Sequence, residues 1–259
     1  MVTYHVFGVD LASAISLPEL PPVKSAVRPD VSIRLGQVEE IQANVDGTDH
    51  YAGHASTIFS YRGVARFLVR NGNEIVVEPA AHADQTLMRV CLLGPVLAAL
   101  VHQRGLLVLH ASAVSIGDKA SVFLGGKTWG KSTLAACLAS RGNDVVADDV
   151  VAVDTSGTPR VFPGVPQLKL WPTAAEALGL DPHRLPRSQP GLEKRAYRIH
   201  ERFARDAVEL ERVYVLDVGD RLQIDSLDRR EAFTELVSHS YFVKFLAGFG
   251  TSIIHFKQC

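Results

Sequence analysis

One short stretch of the chain combines glycines, a lysine and a serine in a spacing that suits phosphate binding. It runs from Gly125 to Ser132 and matches the pattern G-x-x-x-x-G-K-[ST] at every fixed position. An apolar, β-like segment at residues 120–124 precedes it, and a helix-forming segment at residues 133–139 follows it. A strand, a glycine turn and a helix N-terminus together aim backbone N–H groups at one anion. The stretch therefore predicts a site for a nucleotide or another phosphate.

The side chains of this loop divide into phosphate ligands and a metal ligand. Lys131 supplies a mobile positive charge for the outer phosphates, and the hydroxyl of Ser132 suits Mg²⁺. We therefore expect a nucleotide that binds together with Mg²⁺. The predicted nucleotide-binding residues are Gly125, Gly126, Lys127, Thr128, Trp129, Gly130, Lys131, Ser132 and Thr133.

Two adjacent acids, Asp148 and Asp149, follow the loop at a distance that fits one helix and a returning strand. In nucleotide enzymes, an acid at such a position holds Mg²⁺, and an aspartate can accept the proton of an acceptor hydroxyl. Adjacent strand residues point to opposite sides, so both can face the site only if the chain bends there. The alternative interpretation makes one of them a loop or capping residue. His110, at the end of a predicted strand, is a further candidate, although a lone histidine there is more often structural.

The composition favours a soluble globular protein with a hydrophobic core. The 259 residues are 47% hydrophobic and 21% charged, with a formal net charge of −1. This charge gives no electrostatic case for binding nucleic acid or a membrane. The three cysteines lack metal spacing and are too few for a disulfide framework, and residues 1–5 lack the start of a signal peptide. The expected compartment is the cytoplasm, and the apolar residues 90–101 are expected to form a buried helix.

Residues 1–85 form a predicted β-rich N-terminal region, and residues 86–259 form a predicted catalytic domain. In the first region we expect strands at residues 4–9 and 31–35 and a hairpin of residues 64–69 with 74–78. A helix over 84–103 is expected to cross into the second. In the second we expect residues 106–110 to pair with 120–124, and a strand to continue from 145 to 153 through the acids. Further predictions are a short helix at 173–178, strands at 211–218 and 222–224, and a closing helix over 229–247.

Three segments carry a resemblance to a known family. Residues 109–112, the glycine loop and residues 146–150 resemble the catalytic domain of HPr kinase/phosphorylase. The resemblance implies an α/β fold with a P-loop core like that of HPr kinases and phosphoenolpyruvate carboxykinases, beside the β-rich N-terminal portion. Residues 163–166, 168–172 and 190–195 resemble a subgroup that accompanies peptide-modification machinery, some of whose members are kinases of lasso peptide precursors.

The resemblance implies a role for each matching residue. Asp149 is the implied general base, with His110 and Lys131 as further catalytic residues. Ser132 and Asp148 are the implied Mg²⁺ ligands, and Glu193 falls near a segment that the family uses for metal and phosphate contacts. Trp129 departs from the small residue usual in this loop, and would either stack on a base or crowd the turn.

The function that these roles imply is ATP-dependent phosphorylation. The γ-phosphoryl group would pass to a serine hydroxyl of a peptide or small protein, and self-association is implied because HPr kinases form hexamers. Two alternatives stay open: a nucleotide-binding accessory protein without transfer activity, and a small-molecule kinase.

Overall fold

The structure is a computed structural model that describes residues 1–24, 28–39, 50–53, 55–243, 248 and 250–259. The protein is a mixed α/β protein with two seven-stranded sheets and one two-stranded ribbon. The strands of the first sheet are β1 (Val2–Val6), β2 (Val9–Ser13), β3 (Val31–Leu35), β4 (His50–Ala52), β5 (Ser56–Tyr61), β6 (Ala65–Arg70) and β7 (Glu74–Pro79). The second sheet contains β8 (Leu107–Leu109), β9 (Ser112–Ile116), β10 (Lys119–Leu124), β11 (Asp144–Asp148), β12 (Val151–Asp154), β13 (Arg160–Phe162) and β16 (Val208–Val215).

The remaining elements are the ribbon and the helices. The ribbon pairs β14 (Gln167–Leu170) with β15 (Arg195–Arg198). The helical segments are α1 (Gln85–Cys91), a π-helical turn (Leu92–Val96), α2 (Leu97–Gln103), α3 (Lys131–Ser140), α4 (Pro172–Ala177), α5 (Arg229–Ser238) and α6 (Ser252–Gln258).

The N-terminal sheet has the strand order β1-β2-β3-β7-β6-β5-β4. The predicted hairpin is confirmed, with Arg70 opposite Glu74 across β6 and β7. The single strand predicted over residues 4–9 is wrong, because the chain turns back at Phe7 and Gly8, both at positive φ. The result is the antiparallel pair β1 and β2, in which Val6 lies opposite Val9.

The turn at Gly8 gives a test of the packing between the two halves of the chain. Gly8 has φ +76, and a Cβ there would lie 2.5 Å from Cε1 of Phe162. Gly63 has the similar φ of +73, but nothing lies within 4 Å of its Cβ position. An L-residue at positive φ costs about 1–2 kcal/mol, and overpacking adds about 1–3 kcal/mol. We expect Gly63→Ala to show only the first cost and Gly8→Ala both, measured as the free energy of unfolding in denaturant. Equal losses would contradict the contact with Phe162.

The predicted helix over residues 84–103 is present, with one irregularity. Asp84 begins it by accepting hydrogen bonds from the backbone N–H groups of Thr86 and Leu87. Pro95 has no N–H to donate, and the π-helical turn between α1 and α2 contains it. Among the described residues, Gln85–Gln103 is the one stretch whose length and composition could cross a membrane, and 61% of its apolar window is buried inside the protein. A core helix of a soluble protein has the same properties.

The second sheet has the strand order β11-β9-β10-β16-β13-β12-β8. The predicted pairing of residues 106–110 with 120–124 is wrong, because β9 forms the hairpin with β10 and β8 pairs with β12 instead. The two-residue turn of that hairpin, Gly117 and Asp118, has positive φ at both positions. Such a turn joins strands that follow it directly on each side, so residues 112–116 become the partner of β10.

Three other predictions for this half also need correction. The strand predicted from residue 145 to 153 is interrupted after Asp148, and β11 and β12 lie apart in the sheet. Residues 222–224 form no strand, and the closing helix α5 ends at Ser238. The last part of that predicted helix, residues 244–247, lies outside the described residues. The predicted strand over 211–218 corresponds to β16, which begins and ends three residues earlier.

The largest hydrophobic core contains residues from both sides of the predicted boundary at residue 85. It joins buried side chains of the N-terminal sheet, such as Leu11 and Phe67, to Leu97 of α2 and to Val108 and Ala152 of the second sheet. The N-terminal sheet therefore packs directly on the half of the chain that carries the glycine loop.

Candidate functional site

Three neighbouring strands of the second sheet bring the glycine loop and Asp148 together, because the ends of these strands lie side by side. Asp148 ends β11, Ser112 begins β9, and the glycine loop follows β10. The register places Asp148 opposite Ser112, and Ser112 opposite Phe123 near the end of β10. Because β9 runs antiparallel to both neighbours, its first residue meets their last residues.

The glycine loop has the conformation that its glycines allow. Gly125, Thr128 and Gly130 have φ of +146, +73 and +88, and Gly130 is the residue before α3. Leu134 N–H donates to Gly130 O at 2.8 Å, so the first turn of α3 begins directly from the loop. The first N–H groups of this helix have no partner within it and point toward the loop mouth.

Trp129 lies against the loop itself. A Cβ at Gly126 would come within 2.8 Å of Cε2 of its indole ring, so only glycine leaves room for the ring. The residue is nevertheless 44% exposed. The ring therefore packs on the turn and leaves one part accessible to solvent, and its stacking on a base stays a prediction.

Lys131 closes the inner side of the loop. Its Nζ donates to Gly125 O at 2.8 Å and to Gly126 O at 3.1 Å, and the residue is buried. Burial lowers the pKa of Lys131 although Asp148 and Asp149 favour its charged form. The ammonium group therefore lies within the cradle where a phosphate would meet it.

Asp148 collects three hydrogen bonds. Its Oδ1 accepts from Ser112 Oγ at 2.6 Å and from Ser132 Oγ at 2.9 Å, and its Oδ2 accepts from the backbone N–H of Lys169 at 3.2 Å. Burial nevertheless raises the pKa of Asp148, with a contribution from the charge of Asp149, against the lowering by both serines. A buried carboxylate beside a serine hydroxyl offers the oxygen ligands that suit a hard cation.

Asp149 turns the chain so that both acids face the same site. Its φ is +71, and Val150 N–H donates back to Asp148 O at 2.9 Å, which supplies the bend that the sequence required. Asp149 Oδ2 accepts from Lys169 Nζ at 2.6 Å, and Oδ1 lies 3.3 Å from Nδ1 of His110. Burial alone would raise the pKa of Asp149, but the charge and hydrogen bond of Lys169, together with the charges of His110 and Lys194, lower that pKa. The carboxylate is therefore ionised near neutral pH.

Of the two remaining predicted site residues, His110 lies beside the acids and Glu193 lies outside the cavity at the loop. His110 follows β8 and contacts Asp149, and burial lowers the pKa of the imidazole, which keeps it neutral near pH 7. Glu193 forms ion pairs with Arg187 at 2.7 Å and Arg195 at 3.4 Å and does not line the cavity at the loop. The structure thus brings His110 to the two acids but does not bring Glu193 to them.

The glycine loop, the two acids and His110 line a cavity of about 70 Å³. Four of the residues that form this site were not predicted from the sequence: Ser112, Lys169, Trp171 and Lys194. Ser112 and Lys169 fall in segments with the family resemblance, but their partners are set by strand pairing. Lys194 places its Nζ 5.5 Å from the centre of the Trp171 ring. The complete lining is His110, Lys127, Thr128, Trp129, Gly130, Lys131, Ser132, Thr133, Asp148, Asp149, Lys169, Trp171 and Lys194.

Metal ligands at this site are few. Among the described residues, no group of three or more histidine, cysteine, aspartate or glutamate side chains could hold a metal ion. The oxygens of Ser132 and Asp148 fit Mg²⁺, which commonly takes one or two protein ligands and completes its shell with phosphate and water. The residues present therefore fit a magnesium ion that arrives with a nucleotide.

Comparison with known proteins gives distant similarities among solved structures. No family model and no curated protein matches the sequence. Among solved structures, the chain is similar to the HPr(Ser) kinase/phosphatase from Coxiella burnetii, with 18% sequence identity and a TM-score of 0.31. The match covers 47% of this chain and 72% of that one. The relation shown is a distant one.

Proposed function

We propose that this protein is an ATP- and Mg²⁺-dependent kinase that transfers the γ-phosphoryl group to an acceptor hydroxyl. The observation that carries the proposal is the pair of acids at the mouth of the glycine loop. Asp148 lies against the loop serine Ser132, whereas Asp149 is held ionised by Lys169. One acid is suited to a metal ion and the other to a proton.

The phosphate chain of ATP would lie across the loop and the first turn of α3. Backbone N–H groups of the loop and the ammonium of Lys131 would bind it, which requires Lys131 to exchange its bonds to Gly125 and Gly126 for phosphate oxygens. Ser132 and Asp148 would hold Mg²⁺, which when bound neutralises charge on the phosphates.

The transfer step needs a base for the acceptor hydroxyl. As the acceptor oxygen forms its bond to the γ-phosphorus, the bond from that phosphorus to the β–γ bridging oxygen breaks, and ADP leaves with the electron pair. The hydroxyl proton passes to the carboxylate of Asp149, which Lys169 and His110 orient from either side. Lys131 faces the negative charge that develops on the departing phosphate.

The acceptor that the family resemblance suggests is a serine of a peptide or small protein, such as a lasso peptide precursor. This acceptor, the cytoplasmic location and self-association remain predictions.

The direct test follows the γ-phosphoryl group. The protein is incubated with ATP labelled in that group, with Mg²⁺ or with excess chelator, and with serine peptides and small hydroxyl compounds. We expect label in an organic product only when Mg²⁺ and an acceptor are present, measured by mass spectrometry. Binding of ATP without a labelled product from any acceptor would instead support a nucleotide-binding accessory role.

A further inference from the structure

A second cavity of about 210 Å³ lies on the other side of the two acids. Asp148, Asp149 and Lys169 line both cavities, so the second begins where the first ends. An acceptor that reaches Asp149 from the side opposite the glycine loop would therefore occupy this space. Phe7 and Leu93 belong to its apolar wall, which the N-terminal sheet and the helical segment supply.

One wall of this cavity is a face of the two-stranded ribbon. Arg198, at the end of β15, lies on this face. Gln167 lies opposite Arg198, and Lys169 lies opposite Ala196, and all four line the cavity. Lys169 and Arg198 are thus diagonal neighbours, roughly 7–8 Å apart at the backbone. A group held by Arg198 would lie within the length of a small molecule from Asp149.

The charges in this cavity leave Arg198 available. Arg89 pairs with Glu19, Lys169 with Asp149, and Arg187 with Glu193. Arg198 has no acidic partner among the residues that the structure describes, and its side chain is exposed at the cavity rim. An arginine in this state is suited to a carboxylate or another oxyanion.

Two buried polar atoms among the residues that line this cavity also lack partners within the described part of the chain. The hydroxyl of Ser188, a residue only 5% exposed, makes no hydrogen bond, and neither does Oε2 of Glu19. Both residues line the cavity. Buried polar atoms are seldom left without a hydrogen bond, so a ligand with an acceptor for Ser188 and a donor for Glu19 would supply the two missing partners.

We infer that the second cavity binds the phosphoryl acceptor, and that this acceptor is a small hydroxy acid. Its hydroxyl lies at Asp149, its carboxylate accepts hydrogen bonds from Arg198 and Ser188, and a donor group such as an ammonium or second hydroxyl faces Glu19. The inference rests on the proposed kinase function, because it assigns the acceptor of that same reaction. It favours a small molecule over the peptide serine that the family resemblance suggests.

The test measures binding rather than turnover. The protein is first saturated with Mg²⁺ and ADP, and glycerate, L-serine or glycerol is then titrated in a calorimeter. We expect glycerate and L-serine to bind and the neutral glycerol to bind at least tenfold more weakly. Arg198→Gln should weaken glycerate about tenfold without changing the affinity for ADP. The control Arg205→Gln alters another exposed arginine that lines neither cavity and should change nothing.

A second variant distinguishes a loss of ligand binding from a loss of folding stability. Ser188→Ala removes a hydroxyl that has no partner, so its melting temperature should not fall, while glycerate should bind several-fold more weakly. Equal binding of glycerate and glycerol, or full glycerate affinity in Arg198→Gln, would overturn the inference. The inference would also be overturned if neither hydroxy acid bound and an end-capped peptide with an internal serine were phosphorylated. That last result would leave the kinase function standing. Hydroxy-acid binding without any transfer from ATP would instead contradict the kinase function, and the cavity would then bind the hydroxy acid without being an acceptor site.

Discussion

Replacing Asp149 by asparagine is expected to lower kcat by about 10²- to 10⁴-fold, the usual contribution of a general base, and to leave ATP affinity nearly unchanged. The amide has the shape of the carboxylate but cannot take a proton at neutral pH. Asparagine also tolerates positive φ, so the turn at φ +71 should survive. Steady-state transfer and equilibrium nucleotide binding, measured on the same preparations, separate the two effects.

The matched control is Asp154→Asn. Asp154 ends β12 and accepts a hydrogen bond from Ser156 N–H, and it lines neither cavity. Transfer should be unaffected in this variant. Because Asp149→Asn removes the acidic partner of Lys169, the melting temperature is recorded too, and Lys169→Gln is added to remove the unpaired ammonium. Retained transfer in Asp149→Asn would exclude Asp149 as the base.

The ion pair with Lys169 sets the pH range over which Asp149 acts in this test. Burial raises the pKa of Asp149, and Lys169, His110 and Lys194 together lower it by more. In the wild type the base stays ionised down to acidic pH. Lys169→Met removes the largest of the lowering contributions, so the carboxylate becomes protonated at a higher pH. The acid limb of the kcat profile should therefore move to higher pH, and an unmoved limb would show that another group limits it.

Replacing Lys131 by methionine is expected to weaken ATP binding by about 10- to 100-fold. The ammonium lies in the loop cradle against Gly125 O and Gly126 O, where it would meet the outer phosphates. A hydrogen bond to a charged group contributes about 1.5–3 kcal/mol, which corresponds to this range. Methionine keeps the apolar stem that the buried position requires. Calorimetric titration with a non-hydrolysable ATP analogue and Mg²⁺ measures the loss.

Lys119 supplies the control for that experiment. It lies at the start of β10, is partly exposed, and pairs with Glu209 at the opposite end of the strand from the loop. Lys119→Met should therefore leave nucleotide affinity unchanged, because exposed ion pairs contribute little. Unchanged affinity in Lys131→Met would show that the glycine loop is not the nucleotide site.

The parts of the site that follow from local sequence were predictable. The glycine loop is joined covalently to β10 and α3, and one helix and one strand return the chain to Asp148, whose Oδ1 meets Ser132 Oγ at 2.9 Å. Short-range pattern determines all of these placements. The need for a bend at the acids also followed from strand geometry, and Asp149 supplies it.

The parts that depend on strand pairing were not predictable in this way. β8, β9 and β10 are short apolar runs with similar preferences, and the prediction paired β8 with β10 although the turn at Gly117 and Asp118 joins β9 directly to β10. The pairing of β9 with β11, which no local pattern indicates, then brings Ser112 opposite Asp148. Lys169 reaches Asp149 from a separate two-stranded ribbon, through a contact between residues 20 positions apart in the chain. Such partners emerge only when the sheets are assembled.

The left-handed backbone at Asp149 places stability and chemistry in opposition. A residue with a Cβ pays about 1–2 kcal/mol for this conformation, and glycine would avoid that cost. Selection for thermal resistance alone would therefore favour glycine at this position and would remove the proposed base in the same step. A chain that keeps aspartate here has a lower free energy of unfolding than one with glycine, but it retains the side chain. Activity rather than melting temperature should therefore guide any engineering of this turn.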